Sequence, residues 1–398
     1  MTTTDAAHAP WLPEALPEGW NVSQMRRLAR FRNGADYKPV EVVEGGYPVY
    51  GSGGEFKRAS EFLFDGESVL FGRKGTIDKP LLVSGRFWTV DTMFFTELYS
   101  TIEPRFLHYY ATTMPFAYYS TSTALPSMTQ GELGSHRMPL PPLDEQRAIA
   151  DFLDRETARI DTLIEEQQRL IELLRERRTT TIADATGWGP QNYENWSDWR
   201  LSWLFDSTAS GTTPSNEDIE YSAQAEVPWV TTGELRESVI HGTERGVTHD
   251  VLDRYSALRV HPAGSLLIAM YGATIGRMAI LGVDAASNQA CCALRAPHGT
   301  TAEYVQYSLM AAKPRLLLEA SGGGQPNINQ DKIRSFRIPL PPLQAQKRIV
   351  TYLDLQTTRI DTLIAETEKF IDLSRERRSA LITAAVTGQI DIRDKAAG

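Results

Sequence analysis

Cysteine is almost missing from this sequence, and long apolar runs are missing altogether. The 398 residues include two cysteines, the neighbours Cys291 and Cys292. Adjacent cysteines rarely close a disulfide, and two thiols without spaced histidines make a poor metal site. Both are therefore expected as buried packing in a reducing compartment. No stretch stays apolar over the length a bilayer requires, and the opening MTTTDAAHAPWLPEALPEGW has neither a basic start nor an apolar core. That pattern argues against a secretory signal and a membrane span. The expectation is a cytoplasmic chain with a short loose leader.

The signatures of self-contained catalysis are missing too. No Gly-Lys-Ser/Thr occurs, so there is no nucleotide-binding loop of that type. The Pro-Pro pairs at 141–142 and 341–342 sit between leucines, which does not make the motif that receives a flipped base in a methyltransferase. A nuclease needs clustered carboxylates with a lysine to hold a metal. Asp78-Lys79 is isolated, Glu165-Glu166 reads as a solvated helix face, and the seven histidines lack ligand spacing. No catalytic residue, metal ligand or cofactor is expected in this chain.

The net charge of −9 speaks against a polyanionic partner if it is read globally. By segment, residues 20–136 hold 12 basic and 12 acidic side chains, 144–184 hold 7 and 11, and 196–336 hold 11 and 15. Phosphate binding needs a local basic surface rather than a basic total. Any nucleic-acid affinity is expected to come largely through partner proteins.

The sequence does contain a copy of part of itself. Arg137 to Ile182 and Arg337 to Ile382 align without a gap at an offset of 200, with 25 of 46 positions identical. Such self-similarity in one fixed register marks a duplicated architecture. A fainter echo precedes each copy: Trp20 and Leu28 answer to Trp196 and Leu204 at an offset of 176, so the second domain is longer by 24 residues. Each copy reads as a long helix. Pro-Pro-Leu at 141–143 and 341–343 blocks helix before it, and Asp144 and Glu145 suit the positive end of the first helix. Apolar residues follow at heptad spacing: Ile149, Leu153, Ile160, Leu163, Leu170 and Leu174, then Ile349, Leu353, Ile360, Leu363 and Phe370. Gly187 and Gly388 are natural stops. About forty residues make a rod of roughly 60 Å. The two stripes are expected to cover each other as an antiparallel pair. Polar residues at Glu156, Gln167, Gln356 and Thr367 interrupt the seam, as imperfect packing or as register control.

The remaining segments read as short strands cut by glycine: 47–54, 68–77 and 87–95, then 227–230, 265–276 and 287–290. Helices are expected at Pro104 to Thr113 and Ala302 to Ala312. The fold class is α+β, with two similar domains separated by two long antiparallel helices in a coiled coil, as a pseudo-two-fold internal duplication. The boundaries are a leader at 1–19, domains at 20–142 and 188–342, helices at 143–187 and 343–388, and a tail at 389–398.

In these features the chain resembles the specificity subunits of Type I restriction–modification systems. The most specific element is the repeated PLPPL-x-x-Q-x-x-I before a helix bearing R-I-D-T-L-I and R-E-R-R. Support comes from Tyr50-Gly51-Ser52-Gly53-Gly54, Gly72-Arg73-Lys74-Gly75, Ser210-Gly211-Thr212-Thr213-Pro214 and Gln325-Pro326-Asn327-Ile328. Gln344-Ala345-Gln346 departs from the family habit of an acidic residue before the glutamine. The resemblance implies a non-catalytic subunit whose two target recognition domains each read half of a bipartite, asymmetric site in double-stranded DNA. The helices would set the gap, one duplex turn being about 34 Å. It implies two methyltransferase subunits carrying S-adenosylmethionine, and restriction subunits that translocate with ATP and Mg. A methylation-only or other phage-defence complex, and a scaffold that binds no DNA, remain alternative readings.

On that resemblance, the DNA-binding candidates are glycine-loop residues. Arg73, Lys74 and Thr76 form a turn aimed at phosphate or at solvent. Ser52, Lys57 and Arg58 follow a turn where backbone can approach a ligand closely, and Thr212, Thr213 and Ser215 have the same standing. Gln325, Asn327 and Asn329 have amides suited to adenine, with loop capping as the alternative. Ser127, Thr129 and Gln130 occupy the matching place in the first domain. Arg277 stands where the second turn has lost its cations. Arg26, Arg27, Arg30 and Arg32 form a basic cluster for phosphate, a partner or solvent.

Overall fold

In the computed structural model, which describes residues 9–119, 126–190, 196–221, 225–320 and 327–392, the run Ser68–Gly72 is a strand buried at every position. Val69 and Phe71 join a core shared with helices, while Leu70 points to the opposite side, into a cluster with Phe87, Met93 and Phe95. A strand covered on both faces explains why the sequence shows an unbroken apolar run rather than alternation. Leu266–Ala269 behaves identically: Leu266 and Ile268 face one core, Leu267 and Ala269 another.

Around each of these strands the chain builds the same sheets. In the first domain the order is 29–33, 93–98, 68–72, 81–83, all antiparallel. In the second it is 205–210, 291–297, 266–269, 278–281, with 239–240 added in parallel at the edge. A further five-stranded sheet accompanies each, and its one parallel pairing recurs, 47–51 with 86–89 and 227–230 with 285–287. A two-stranded ribbon closes each domain, 21–24 with 137–140 and 197–200 with 337–340.

The helices are α1 (Pro104–Thr112), α2 (Phe116–Tyr119), α3 (Gln130–Ser135), α4 (Leu143–Ala185), α5 (His249–Arg254), α6 (Ala302–Leu318), α7 (Gln330–Ser335) and α8 (Leu343–Val386). α6 runs past the expected end at Ala312 to Leu318 and contains Pro314, with Ala312 and Leu316 buried on either side of it. The chain divides into two compact units, Met1–Gln168 with Glu368–Gly398, and Arg169–Thr367. The division cuts through α4 and α8, so each long helix contributes to both units.

Within the first unit, Ile149 and Leu153 of α4 share a core with Ala385 and Val386 of α8, and further along Asp161 of α4 meets Arg378 of α8 at 2.8 Å. Residue numbers rise on one helix as they fall on the other, so the pair is antiparallel. The second unit repeats this with the partners exchanged: Arg178 meets Asp361 at 2.9 Å. These ion pairs occupy identical places in the two copies.

The expected seam needs one correction. Leu170, Leu363 and Phe370 are 41%, 48% and 43% exposed, whereas Ile171 and Ile371 one residue later are buried. The buried spacing runs through Leu153, Thr157, Ile160, Ile171 and Leu174, and through Leu353, Thr357, Ile360, Thr367 and Ile371. Thr157 and Thr357 are seam residues, and reading them as polar moved the apparent stripe sideways. Each donates its hydroxyl to the carbonyl four residues back, at 2.6 and 2.7 Å, and so enters the seam satisfied. Of the polar positions expected in the seam, Thr367 is buried there; Glu156 instead lies 3.5 Å from Arg159 on its own helix.

The motif glutamine explains the helix starts. Gln146 is buried; it accepts from Glu103 N at 2.8 Å and donates to Pro141 O and Thr101 O. Gln346 accepts from Thr300 and Thr301 and donates to Pro341 O and Gly299 O. One side chain thus fixes the Pro-Pro turn, the helix start and the cap of α1 or α6. At the other end, Gly187 and Gly388 take φ of 80° and 75°, the left-handed conformation that ends helices. The Trp196 and Trp20 rings lie against them, at 2.9 and 3.2 Å from where a Cβ would stand. This shared task accounts for the tryptophan echo. The leader is not loose over its described part: Trp11 stacks on His136 at 5.0 Å and donates to Arg137 O.

Candidate nucleic-acid interface

In the first unit a loop cluster forms where strand 68–72 ends. Gly72 is required there, since a Cβ would stand 2.2 Å from Thr76 O, and Gly75 has φ of 81°. The intervening turn is held by neighbours. Arg73 N donates to Thr92 O, Met128 N donates to Arg73 O, Gly75 N donates to Pro126 O, and Lys74 bridges to Ser127. Arg73 also donates to Asp91 O at 3.3 Å, with its guanidinium 5.9 Å from the Phe94 ring centroid. Thr129 caps α3 in a reciprocal arrangement with Glu132. Gln130 donates to Asn33 at 3.2 Å. Arg73, Lys74, Thr76, Ser127, Thr129 and Gln130 are therefore brought together, with Lys74, Thr76, Thr129 and Gln130 exposed.

The described contacts do not draw Ser52, Lys57 and Arg58 into this cluster. They belong to the hairpin 47–51/54–59 in the other sheet. Lys57 pairs with Glu41 at 2.6 Å, and that hydrogen bond raises its pKa. Arg58 donates to Gly46 O and lies 3.4 Å from Glu55. Carboxylates already answer these two cations.

The second unit rebuilds the cluster on the same frame. Ile328 N donates to Met270 O, and Tyr271 bridges to Asn327. Asn329 caps α7 by accepting from Lys332 N at 2.9 Å. Thr213 is hydrogen-bonded to Gln289, and Gln330 to Ser210. A Cβ on Gly211 would stand 1.5 Å from Ser287 O, as one on Gly34 would stand 2.0 Å from Val90 O. Only glycine permits this approach in either unit. Ser215 donates to Asp218 at 2.7 Å; hydrogen bonds from Ser215, Tyr255 and Arg254 hold that carboxyl below its usual range. Arg277 is exposed just past the turn. Gln325 lies outside the described residues. Gln330, Asn33 and Gln289 were not among the sequence candidates and Ser210 entered only as part of a motif, although the offset of 200 continues back through 127 and 327 and pairs Gln130 with Gln330.

Among the described residues no group of three or more His, Cys, Asp or Glu side chains gathers for a metal, and no helix is long and apolar enough to cross a membrane.

The family model described as Type I restriction modification DNA specificity domain matches twice, over residues 17–174 and 193–369. The chain belongs to that family. Among curated relatives, the specificity subunit of the Escherichia coli Type I restriction enzyme EcoR124I/EcoR124II is 25% identical over 173 residues, covering 42% of each chain. A Haemophilus influenzae chain assigned as a type I restriction enzyme specificity subunit is 23% identical over 390 residues, covering 92% of this chain and 95% of that one. A chain from a solved study of type I R-M assembly and conformational transition superposes with a TM-score of 0.78 at 17% identity, covering 95% of this specificity chain and 100% of its own length. The HsdS subunit from Thermoanaerobacter tengcongensis gives 0.58, also at 17% identity, covering 95% and 99%. At such identities the superpositions speak for the fold.

Proposed function

We propose that this specificity chain is the non-catalytic DNA-reading subunit of a Type I restriction–modification complex, each unit reading one half of a bipartite site. One observation carries the reading. Two loop clusters are built on matching frames, with Gln130 and Gln330 in common, but otherwise present different side chains, Arg73, Lys74 and Ser127 in one, Tyr271 and Asn327 in the other. Matching frames give two readers, and unlike side chains give unlike half-sites. Arginine and lysine suit guanine or phosphate, while amides suit adenine.

The same duplication suits two copies of one partner. Leu170 with Phe370, and Leu173 with Leu373, leave apolar side chains uncovered at matching helix positions. Such surfaces fit two methyltransferase subunits, which would bring S-adenosylmethionine. Restriction subunits would bring ATP and Mg, and the complex would work in the cytoplasm. Single-molecule methylation mapping of DNA from cells carrying this chain and its cognate methyltransferase tests the proposal. A bipartite motif with a fixed gap is expected, and exchanging residues 20–136 should alter only one half. A methyltransferase complex that retains no duplex would leave a scaffold in its place.

A further inference from the structure

Outside the two loop clusters, each unit carries a second feature, a group of arginines with no ion-pair partner among the described residues, although Arg337 donates to Asp198 O at 3.2 Å. The first strand of each domain, Asn21–Gln24 or Ser197–Arg200, runs into a short 3-10 turn, Met25–Arg27 or Leu201–Trp203. Each turn packs against the short helix that follows the loop cluster, α3 or α7. In the first unit the turn and the adjoining strand expose Arg26, Arg27 and Arg30. In the second unit Arg200, Arg334 and Arg337 are exposed at the corresponding place. Arg200 and Arg337 face each other across the ribbon, and both guanidiniums lie 5.5 Å from the Trp203 ring centroid. Among the described residues none of the six arginines takes part in an ion pair. The chain as a whole is acidic at −9, yet at this place in each unit three exposed arginines stand together.

The internal duplication shows what is retained at this place. At the offset of 176, Arg26, Arg27 and Arg30 correspond to Ser202, Trp203 and Asp206, and Arg200 corresponds to Gln24. At the offset of 200, Arg334 corresponds to Gly134, and Arg337 corresponds to a half-buried Arg137. The cationic character recurs while the positions supplying it change. The surrounding shape changes as well, since Trp199 and Trp203 are 40% and 49% exposed in the second unit where the first has Ser23 and Arg27. A protein partner present in two copies would meet two different surfaces here. A phosphate backbone asks only for charge within reach. The patches lie one short helix away from the caps Thr129 and Asn329, about 9 Å for six residues, so a duplex seated on a loop cluster would extend past the patch.

We infer that the arginines in and around the two 3-10 turns, Arg26, Arg27 and Arg30 in one unit and Arg200, Arg334 and Arg337 in the other, clamp DNA phosphates beside the half-sites. The inference rests on the DNA-reading function proposed above. The clamp supplies affinity without choosing sequence, and Trp203 holds two of its guanidiniums in place by stacking.

The test uses the full chain in complex with its methyltransferase, a duplex bearing the mapped motif and a duplex lacking it, with binding followed by fluorescence anisotropy from 50 to 200 mM salt (roughly the range over which phosphate contacts are resolved). The triple variants are Arg26→Gln with Arg27→Gln and Arg30→Gln, and Arg200→Gln with Arg334→Gln and Arg337→Gln. Each should bind both duplexes tenfold or more weakly and flatten the slope of log K against log salt by up to about 2.7. The ratio between the duplexes should be unchanged, and the matching Arg→Lys triples should restore the slope. Parental affinity and slope in either glutamine triple overturn the inference, as does loss of methyltransferase assembly, which would make the surface a protein contact. If the parent complex itself does not distinguish the duplexes, the DNA-reading function fails, and the clamp fails with it.

Discussion

Replacing Gln346 with alanine should loosen the second unit far more than the loss of one polar side chain suggests. The side chain is fully buried, with Thr300 Oγ1 at 2.9 Å, Thr301 N at 3.2 Å, Pro341 O at 2.8 Å and Gly299 O at 3.2 Å. Alanine strands an amide N–H and two carbonyls where water has little access. A buried polar group left unmatched costs about 1–3 kcal/mol, and part of this is recovered by relaxation, so the net loss is about 3 kcal/mol. For a unit of about 200 residues, each kcal/mol lowers Tm by roughly 2–4 °C, giving a fall of about 6–12 °C by calorimetry. Gln146→Ala should do the same to the first unit, slightly less because three bonds are lost there. Gln344→Ala, exposed in the same helical turn, should stay within about 0.5 kcal/mol of the parent. If Gln346→Ala and Gln344→Ala melt together, the glutamine does not anchor the helix start, and the physical account of the PLPPL-x-x-Q motif is wrong.

Reversing Asp161 to arginine sets it against Arg378 and should cost about 1 kcal/mol; Arg378→Asp added to it should recover most of that, less so in high salt, by urea unfolding. Failure of the double variant to recover would deny the antiparallel register. Burial lowers both His136 and His261 to about 4. The unfolded chain binds those protons first, so stability is complete above about pH 6.5 and falls as pH drops toward 4, by up to about 1.4 kcal/mol per pH unit for each histidine. Urea midpoints equal at pH 7 and pH 5 would contradict this. Gly211→Ala places a Cβ on Ser287 O and should cost roughly 2–4 kcal/mol while weakening retention of duplex by the complex; a stable variant with parental binding would show the approach is not needed.

Local chemistry was enough for some of this architecture. The duplication, the Pro-Pro starts, the glycine stops and the α+β class follow from spacing and backbone preference, which act over a few residues and recur at a fixed offset. The buried strands 68–72 and 266–269 were visible as apolar runs. The two loop clusters were legible in outline, because glycines bound each turn in the sequence, Gly72 and Gly75 in one and Gly272 and Gly276 in the other; Gly75 and Gly272 take positive φ.

Tertiary structure decided what depends on partners distant in sequence. Thr157 and Thr357 are buried beside Tyr109 and Tyr307, whose hydroxyls lie 3.3 Å from theirs, and their backward bonds within the helix leave them satisfied there, so a polarity scale misplaces them. Lys57 is answered by Glu41, Gln130 reaches Asn33 and Gln330 reaches Ser210, pairings that no periodicity encodes. Trp20 and Trp196 echo each other in the sequence, but only packing shows that each covers the glycine ending a long helix. Spacing along the chain records which elements form, whereas the choice of which side chains remain unanswered, and so available to a ligand, is made between separate segments, 16 residues apart for Lys57 and Glu41 and 120 apart for Gln330 and Ser210.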